Sequence, residues 1–427
     1  MTAGAAIAAC VFLVLLLAGF WIPFAVAVGA LLLLWDHGGW NAFRAIGLVS
    51  WGSLNSFTLT AIPLFLLMAE ILLRSGVGAR AYRGLGRVTG RLPGGLLQTN
   101  IAGCALFAAI NGSSVATAAT IGTVALPEMR ARGYDQRMAA GSLAAGGTLG
   151  ILIPPSIAMI VYATFTETSV SKLFAAGILP GLAMTGMFMA FIAWRALRNP
   201  ATAPRAVPDG RGLGAMAGDL LPFVLLIGLV LGSIYGGVAT PTEAAAVGVL
   251  GGVALAALFG RCDAEVLGAS LAATVRTTAS VLFIVLAAAL LSYSLGVTGI
   301  GRAVAEWIVG LGLPRLGFLL AVAVLYIILG CFIDSLAMIV ITVPLLHPVL
   351  LAYGIDPVWF GVLLVVLIEM GQITPPFGIN LFVIQGIGGG RFEDVAAGTV
   401  PYVALMGVLI ALLLAFPGMA LWLPGML

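Results

Sequence analysis

Charged side chains are scarce in this sequence, since Asp, Glu, Lys and Arg make up 8% of its 427 residues. Soluble proteins carry about 25%. Hydrophobic residues make up 62%, and apolar runs of roughly 20 residues, the length that spans a bilayer, recur along the chain. This composition excludes a soluble enzyme and predicts an all-α polytopic protein surrounded by lipid. The net charge of +3 and the loop positions of the arginines predict no nucleic-acid partner.

Metal-binding side chains are also rare. The chain has four cysteines and two histidines, and no two cysteines have the CxxC spacing of a zinc or iron–sulfur site. No motif for an organic cofactor is present either. Any ion that this chain binds is therefore expected to be held by oxygen atoms.

One pattern occurs twice: a polar turn within an apolar stretch, followed later by a Pro-Pro pair. Pro154 is matched by Pro375, and Ser114 by Ser335, each 221 positions further on, and no gap is needed from Gly78 to Pro180. Gly and Pro fix the backbone shape. Their recurrence at one offset therefore indicates a structural unit that is used twice.

The arginines indicate how the first unit lies in the membrane. Basic loops on both sides of the apolar stretch 96–126 are predicted to be cytoplasmic, so this stretch must enter the membrane and return. Each limb of about 14 residues would be roughly 21 Å long, too short to cross. The pattern therefore predicts a re-entrant helical hairpin whose polar tip lies near the middle of the membrane.

The whole chain is predicted to be an inverted-topology repeat with two re-entrant hairpins and two helices broken at Pro-Pro. The span at 220–235 has no repeat partner in this interpretation and inverts the second copy, so that the N-terminus is cytoplasmic and the C-terminus periplasmic. The predicted units are a first repeat at 1–195 (scaffold helices 5–34 and 50–73, hairpin 94–127, broken helix 138–166, helix 173–195), a cytoplasmic linker at 196–217, and the extra span plus second repeat at 218–427 (hairpin 316–347, broken helix 358–388, helix 395–422).

The helix breaks are candidate binding sites. Pro154, Pro155, Pro375 and Pro376 remove backbone donors and leave the preceding carbonyl groups without helical partners. Such oxygens suit Na⁺, whereas the N-termini of half-helices favour an anionic substrate group. The polar residues predicted to bind substrate lie at the hairpin tips and on the half-helix after the second break: Asn111, Ser113, Thr117, Asp334, Ser335 and Asn380.

Two carboxylates lie inside predicted spans, which is costly and usually marks a functional cavity. Asp334 takes the repeat position of Ser113, and Glu369 takes that of Thr148. Asp334 is interpreted as helping to bind the cation or shape the substrate pocket. The role of Glu369 stays open between function and structure.

Four motifs together resemble the large membrane subunit, or DctM-type permease, of tripartite ATP-independent periplasmic (TRAP) transporters. They are Asn111-Gly-Ser-Ser-Val-Ala-Thr117, Gly150-Ile-Leu-Ile-Pro-Pro-Ser156, Pro241-Thr-Glu-Ala-Ala-Ala246, and the stretch from Glu369 to Phe382. The resemblance covers essentially the whole chain. One departure is Gln372, where an apolar residue is expected.

The resemblance implies a Na⁺-driven elevator-type importer of small organic acids in the bacterial inner membrane, not an enzyme. It implies two partners, a small four-helix membrane subunit and a periplasmic substrate-binding protein. It also implies two or more Na⁺ sites, which map onto Ser114, Gly150 and Pro154 in one half and onto Gly330, Gly371 and Thr374 in the other.

Three alternatives remain at this stage. The nearest is a stand-alone Na⁺- or H⁺-coupled carboxylate or ion transporter of the same broad superfamily. An intramembrane aspartyl protease would need two facing Gly-Asp motifs, whereas Asp334 follows Ile333. A passive channel would need one continuous pore, and two separated half-sites suit alternating access better.

Overall fold

The computed structural model describes residues 3–204 and 213–427, in which every regular element is helical. The first half contains ten α-helices joined by short segments, and a 3-10 turn at Phe43–Ala45 links the second helix to the third. They are α1 (Ala3–Leu17), α2 (Ile22–Ala42), α3 (Ile46–Leu54), α4 (Phe57–Arg74), α5 (Val77–Thr89), α6 (Leu96–Asn111), α7 (Ser114–Ala131), α8 (Gln136–Leu152), α9 (Ile157–Thr166) and α10 (Val170–Arg198).

The second half contains ten more α-helices, the last of which is a single turn. They are α11 (Leu213–Tyr235), α12 (Pro241–Phe259), α13 (Ala264–Thr298), α14 (Ile300–Gly310), α15 (Arg315–Gly330), α16 (Ser335–Ala352), α17 (Pro357–Gln372), α18 (Ile379–Gly388), α19 (Phe392–Ala415) and α20 (Gly418–Leu421). Among the described residues, eight helical stretches are long and apolar enough to cross a membrane, or nine if α8 and α9, bent by 41°, form one broken span. The predicted all-α polytopic membrane protein is therefore confirmed.

Helix boundaries repeat at the offset seen in the sequence. Helices α7 and α16 begin at Ser114 and Ser335, and α8 and α17 begin at Gln136 and Pro357, in both cases 221 positions apart. The same offset brings α11 into register with α1, and α12 with α2. The prediction that the span at 220–235 has no repeat partner was therefore wrong, because its partner was hidden in the long apolar run at the N-terminus.

That N-terminal run, predicted as one scaffold helix at 5–34, is two helices. The chain turns after Leu17 with Gly19 at φ 78°, and α2 starts with a proline in its first turn, where a missing N–H costs nothing. Gly4, near the start of α1, lies directly against the Asp36 side chain near the end of α2. The two helices therefore pack antiparallel. Hydropathy could not reveal the turn, since every residue in it is apolar or small.

Other boundaries also differ from the sequence prediction. The helix predicted at 50–73 starts at Phe57 in the structure, because Asn55 and Ser56 leave helical geometry, and α3 precedes it. The last helix, predicted at 395–422, ends at Ala415 before Pro417. The linker predicted at 196–217 is partly helical, since α10 continues to Arg198 and α11 begins at Leu213, while 205–212 lies outside the described residues.

The first segments of the two broken helices form the centre of the molecule. Every residue of α8 from Met138 to Leu152 is buried, and α17 is buried from Trp359 to Glu369. Small residues allow this close packing: an added Cβ on Gly141 would lie 2.3 Å from the Gly398 carbonyl oxygen on α19. The break after α8 is buried at Pro154 and Pro155, whereas the break after α17 is exposed at Pro375 and Pro376. Each break contacts the tip of a helix pair, α6–α7 in the first case and α15–α16 in the second.

Candidate functional site

The first hairpin tip is a tight turn between α6 and α7. Gly112 adopts left-handed geometry (φ 59°), and an added Cβ there would lie 2.8 Å from the Pro155 carbonyl oxygen. Ser113 then caps α7, its hydroxyl accepting a hydrogen bond from the Ala116 N–H at 3.4 Å. Gly112 thus supplies the left-handed turn, and Ser113 supplies the cap that the first N–H groups of α7 need.

This tip contacts the break between α8 and α9. The Ile157 N–H donates to the Gly112 carbonyl oxygen at 3.4 Å, which joins the second half-helix to the tip. Gly150 lies so close to the tip that an added Cβ would be 2.5 Å from the Ser113 carbonyl oxygen and 2.8 Å from Thr117 Oγ1. We call the group of Ser113, Ser114, Thr117, Gly150 and Pro154 the first junction.

The second hairpin tip contacts the second break in a similar way. The Gly378 N–H, at the repeat position of Ile157, donates to the Cys331 carbonyl oxygen at 3.1 Å. Gly330 and Gly371 are in backbone contact, and Thr374 donates its hydroxyl hydrogen to the Met370 carbonyl oxygen at 2.6 Å. We call the group of Gly330, Asp334, Ser335, Gly371 and Thr374 the second junction. Both Pro-Pro bonds are cis.

The residues predicted to bind substrate lie at these tips. Asn111 ends α6, and Asp334 caps α16 by accepting the Leu336 N–H at 3.2 Å. Ser335 and Thr117 are buried at 5% and 0% exposure, whereas Asp334 is half-buried. Two surface cavities of about 360 and 750 Å³ lie elsewhere, beside Arg137 and beside His347.

A buried group of three side chains joins the two repeats. The Ser114 hydroxyl at the first tip donates to Glu369 Oε2 on α17 at 2.7 Å and accepts from Asn380 Nδ2 on α18 at 2.6 Å. All three residues are buried to at least 99%. Sequence reasoning proposed Ser114 and Asn380 for different roles and left Glu369 open. Nothing in the linear pattern shows that residues 255 and 266 positions apart share one hydroxyl group.

Buried polar atoms without a hydrogen-bond partner are concentrated here. Thr117 Oγ1, Glu369 Oε1, Asn380 Oδ1 and both polar atoms of the Gln372 amide have none among the described residues. Such atoms cost about 1–3 kcal/mol each when nothing binds them. They mark the region in which a polar ligand would be stabilised most. The amide of Gln372, which departs from the expected apolar residue, is thus fully buried next to the second junction.

Comparison with known proteins decides the family. The profile described as "Tripartite ATP-independent periplasmic transporter, DctM component" matches residues 9–419. The chain is also 37% identical over 391 residues to the C4-dicarboxylate TRAP transporter large permease protein DctM of Pseudomonas aeruginosa, covering 91% of both chains. The chain belongs to the DctM family of TRAP transporter permeases. It is a transporter subunit and not an enzyme.

Other relatives of this DctM-family chain differ in their named substrates. It is 33% identical to the isethionate TRAP transporter permease protein DctMQ of Oleidesulfovibrio alaskensis, over 88% of this chain and 60% of that one. It is 32% identical to the ectoine TRAP transporter large permease protein TeaC of Halomonas elongata, over 86% of both. Among solved structures, the YdaH transporter of Alcanivorax borkumensis shares the fold, with TM-score 0.66, 17% identity and 91% coverage of both chains.

Proposed function

We propose that this DctM-family permease imports a small organic acid by Na⁺-coupled secondary transport with an elevator mechanism. The observation that carries the proposal is the pair of junctions, each formed by a polar hairpin tip against a glycine of a Pro-Pro-broken helix, 221 positions apart. Two equivalent half-sites on elements that can move together suit alternating access about one substrate.

The residues of the junctions fit Na⁺. The Ser113 carbonyl and Thr117 hydroxyl oxygens lie against Gly150, and the Ile327 carbonyl oxygen lies beside Gly371, next to the Gly330 backbone. A hard monovalent cation takes carbonyl and hydroxyl oxygens. We propose that Ser114, Gly150 and Pro154 hold one Na⁺ and that Gly330, Gly371 and Thr374 hold another. A bound Na⁺ would supply positive charge next to the substrate carboxylate.

The two repeats are proposed to lie in opposite orientations. With α1, α2 and α4, the broken pair α8–α9, and α10 as five crossings, the second repeat enters the membrane from the other side. The start of α1 lies next to Asp36 near the end of α2, where Trp35 and Trp40 also lie, on the side opposite the basic helix α5. With this number of crossings we propose that both termini lie in the periplasm, in place of the cytoplasmic N-terminus predicted from a single first helix.

The family supports the proposed substrate class and partners. The named substrates of the relatives, C4-dicarboxylates, isethionate and ectoine, support a small anionic or zwitterionic acid. We propose two partners for this chain in the inner membrane. A periplasmic binding protein delivers the substrate, and a small four-helix subunit lies beside the chain in the same membrane. The DctMQ relative, which is longer than this chain, supports a second membrane component.

Uptake of a radiolabelled C4-dicarboxylate into proteoliposomes tests this function, with this chain, its small subunit and the binding protein present. We expect uptake to need an inward Na⁺ gradient and to collapse when Na⁺ is replaced by K⁺. Equal uptake in K⁺ would refute Na⁺ coupling. Omitting the binding protein tests the stand-alone alternative, since undiminished uptake would favour it.

A further inference from the structure

Glu369 lies beside the first junction but belongs to neither of the two junctions. Its carboxylate is fully buried, and none of the ion pairs among the described residues involves it. A buried carboxylate needs a compensating partner. Its one recorded partner is the Ser114 hydroxyl, while its Oε1 atom has none.

This arrangement has a direction. The Asn380 N–H donates to Ser114 Oγ, and the Ser114 O–H donates to Glu369 Oε2, so the chain of hydrogen bonds runs from amide to carboxylate. Ser114 Oγ has two lone pairs, and Asn380 uses one. The other is free for a cation, and the hydroxyl hydrogen is held away from that lone pair because the carboxylate attracts it.

The arrangement also exists only once. At the repeat position of Glu369 stands Thr148, whose hydroxyl bonds within its own helix to the Ala145 carbonyl oxygen at 2.6 Å. At the repeat position of Asn380 stands Met159. The second junction therefore has no corresponding group, although its backbone geometry resembles that of the first. A feature that breaks an otherwise repeated structure is not explained by the packing that both copies share.

We propose that Glu369 is a positioning residue for cation binding at the first junction, acting from the opposite repeat. Its carboxylate, a stronger acceptor than a neutral amide, holds the Ser114 hydroxyl hydrogen so that the free oxygen lone pair faces the cation. The inference rests on the proposed Na⁺ role of Ser114. It adds a link between the repeats, because the broken helix of the second repeat controls the cation affinity of the first.

The test compares Glu369→Gln with Ser114→Ala and the double variant in the complete three-component system. Gln keeps the shape and one acceptor oxygen but removes the charge. We expect Glu369→Gln to weaken the apparent Na⁺ affinity roughly tenfold, with a smaller change in apparent substrate affinity. The double variant should be no weaker for Na⁺ than Ser114→Ala alone, because Glu369 acts through Ser114.

Na⁺-dependent thermal stabilisation of the purified chain gives a second measurement, since a ligand of the folded state raises its Tm. Thr274→Val, which removes a buried hydroxyl bonded only within α13, is the control and should leave the Na⁺ response unchanged. If Glu369→Gln does not fold, Asn380→Ala removes the other hydrogen bond to Ser114. This variant should also weaken Na⁺ binding.

The outcomes separate this inference from the proposed function. Unchanged Na⁺ affinity in Glu369→Gln, or losses that add in the double variant, would overturn the positioning role while leaving Na⁺ coupling intact. Equal loss of Na⁺ and substrate affinity would also overturn it, since that is what a structural defect produces. A wild-type system with no Na⁺ response would instead refute the proposed function itself.

Discussion

Gly330 and Gly371 touch through their backbones, 41 positions apart in sequence: an added Cβ on Gly371 would lie 2.7 Å from the Gly330 Cα, and one on Gly330 would lie 2.8 Å from the Gly371 Cα. No side chain fits between these two glycines. This contact fixes the distance between the hairpin tip and the break, and hence the geometry of the second junction.

Gly371→Ala is therefore expected to force these two segments apart. We expect a loss of about 1–3 kcal/mol in the free energy of unfolding from overpacking and a severe loss of Na⁺-driven uptake. Gly386→Ala on α18 is the matched control, because a Cβ there meets nothing within 4 Å. Thermal unfolding and proteoliposome uptake, measured for both variants, test these two expectations. Normal uptake in Gly371→Ala would show that the contact can relax.

Asp334→Asn separates helix capping from charge. Asn caps a helix about as well as Asp, so stability should change by less than about 1 kcal/mol. We expect uptake to fall at least roughly tenfold, because the variant loses a carboxylate inside the membrane, where such groups are usually functional. Asp356→Asn, at the exposed cap of α17, removes a similar charge and should transport normally. Wild-type uptake and Na⁺ dependence in Asp334→Asn would exclude a role in coupling.

Asp219 clamps the amphipathic helix α5 to α11. Its two oxygens accept from Arg80 Nε at 2.6 Å and Arg87 Nη1 at 2.7 Å, and its side chain is 16% exposed. Asp219→Asn should lower the free energy of unfolding by about 1.5–3 kcal/mol, the range for hydrogen bonds to charged groups. Glu306→Gln removes the exposed Arg302 pair and should cost less than about 1 kcal/mol. Equal losses in the two variants would contradict a stabilising clamp.

The revised topology is tested by cysteine labelling. In a background without the native cysteines, Ala18→Cys in the α1–α2 turn should react with a membrane-impermeant maleimide only after the cells are permeabilised. Lys172→Cys, at the proposed external start of α10, should react in intact cells and serves as the positive control. Both positions are exposed. Reaction of Ala18→Cys in intact cells would contradict the proposed cytoplasmic position of the α1–α2 turn.

Several features were readable from local sequence because local chemistry imposes them. The helix breaks follow from Pro154-Pro155 and Pro375-Pro376, and the hairpin turns from Gly112-Ser113 and from the polar Asp334. The family was readable from the motifs that surround these residues, and the comparisons confirm it. The Na⁺ and substrate roles of these residues stay predictions.

Two other features were missed, the first because nothing polar marks it. The turn after Leu17 lies within an uninterrupted apolar run, so the first two helices looked like one, and α11 seemed to lack a partner. The basic segment after Arg74 looked like a loop, although Arg80, Arg83 and Arg87 lie three to four residues apart on the helix α5. The apolar face of this helix, which includes the buried Val77, Ala81 and Tyr82, is easily overlooked when the segment is considered only for its charge.

The sequence by itself determined the membrane class, the repeat at an offset of 221 residues, the broken helices and the family. Composition decides whether the chain partitions into lipid, and Pro and Gly fix the local backbone. Only the tertiary structure decided which distant groups meet. The hydrogen bonds of Ser114 with Glu369 and Asn380, and the contact of Gly330 with Gly371, depend on how buried helices pack. Packing joins residues far apart in the chain, and no local pattern specifies its register.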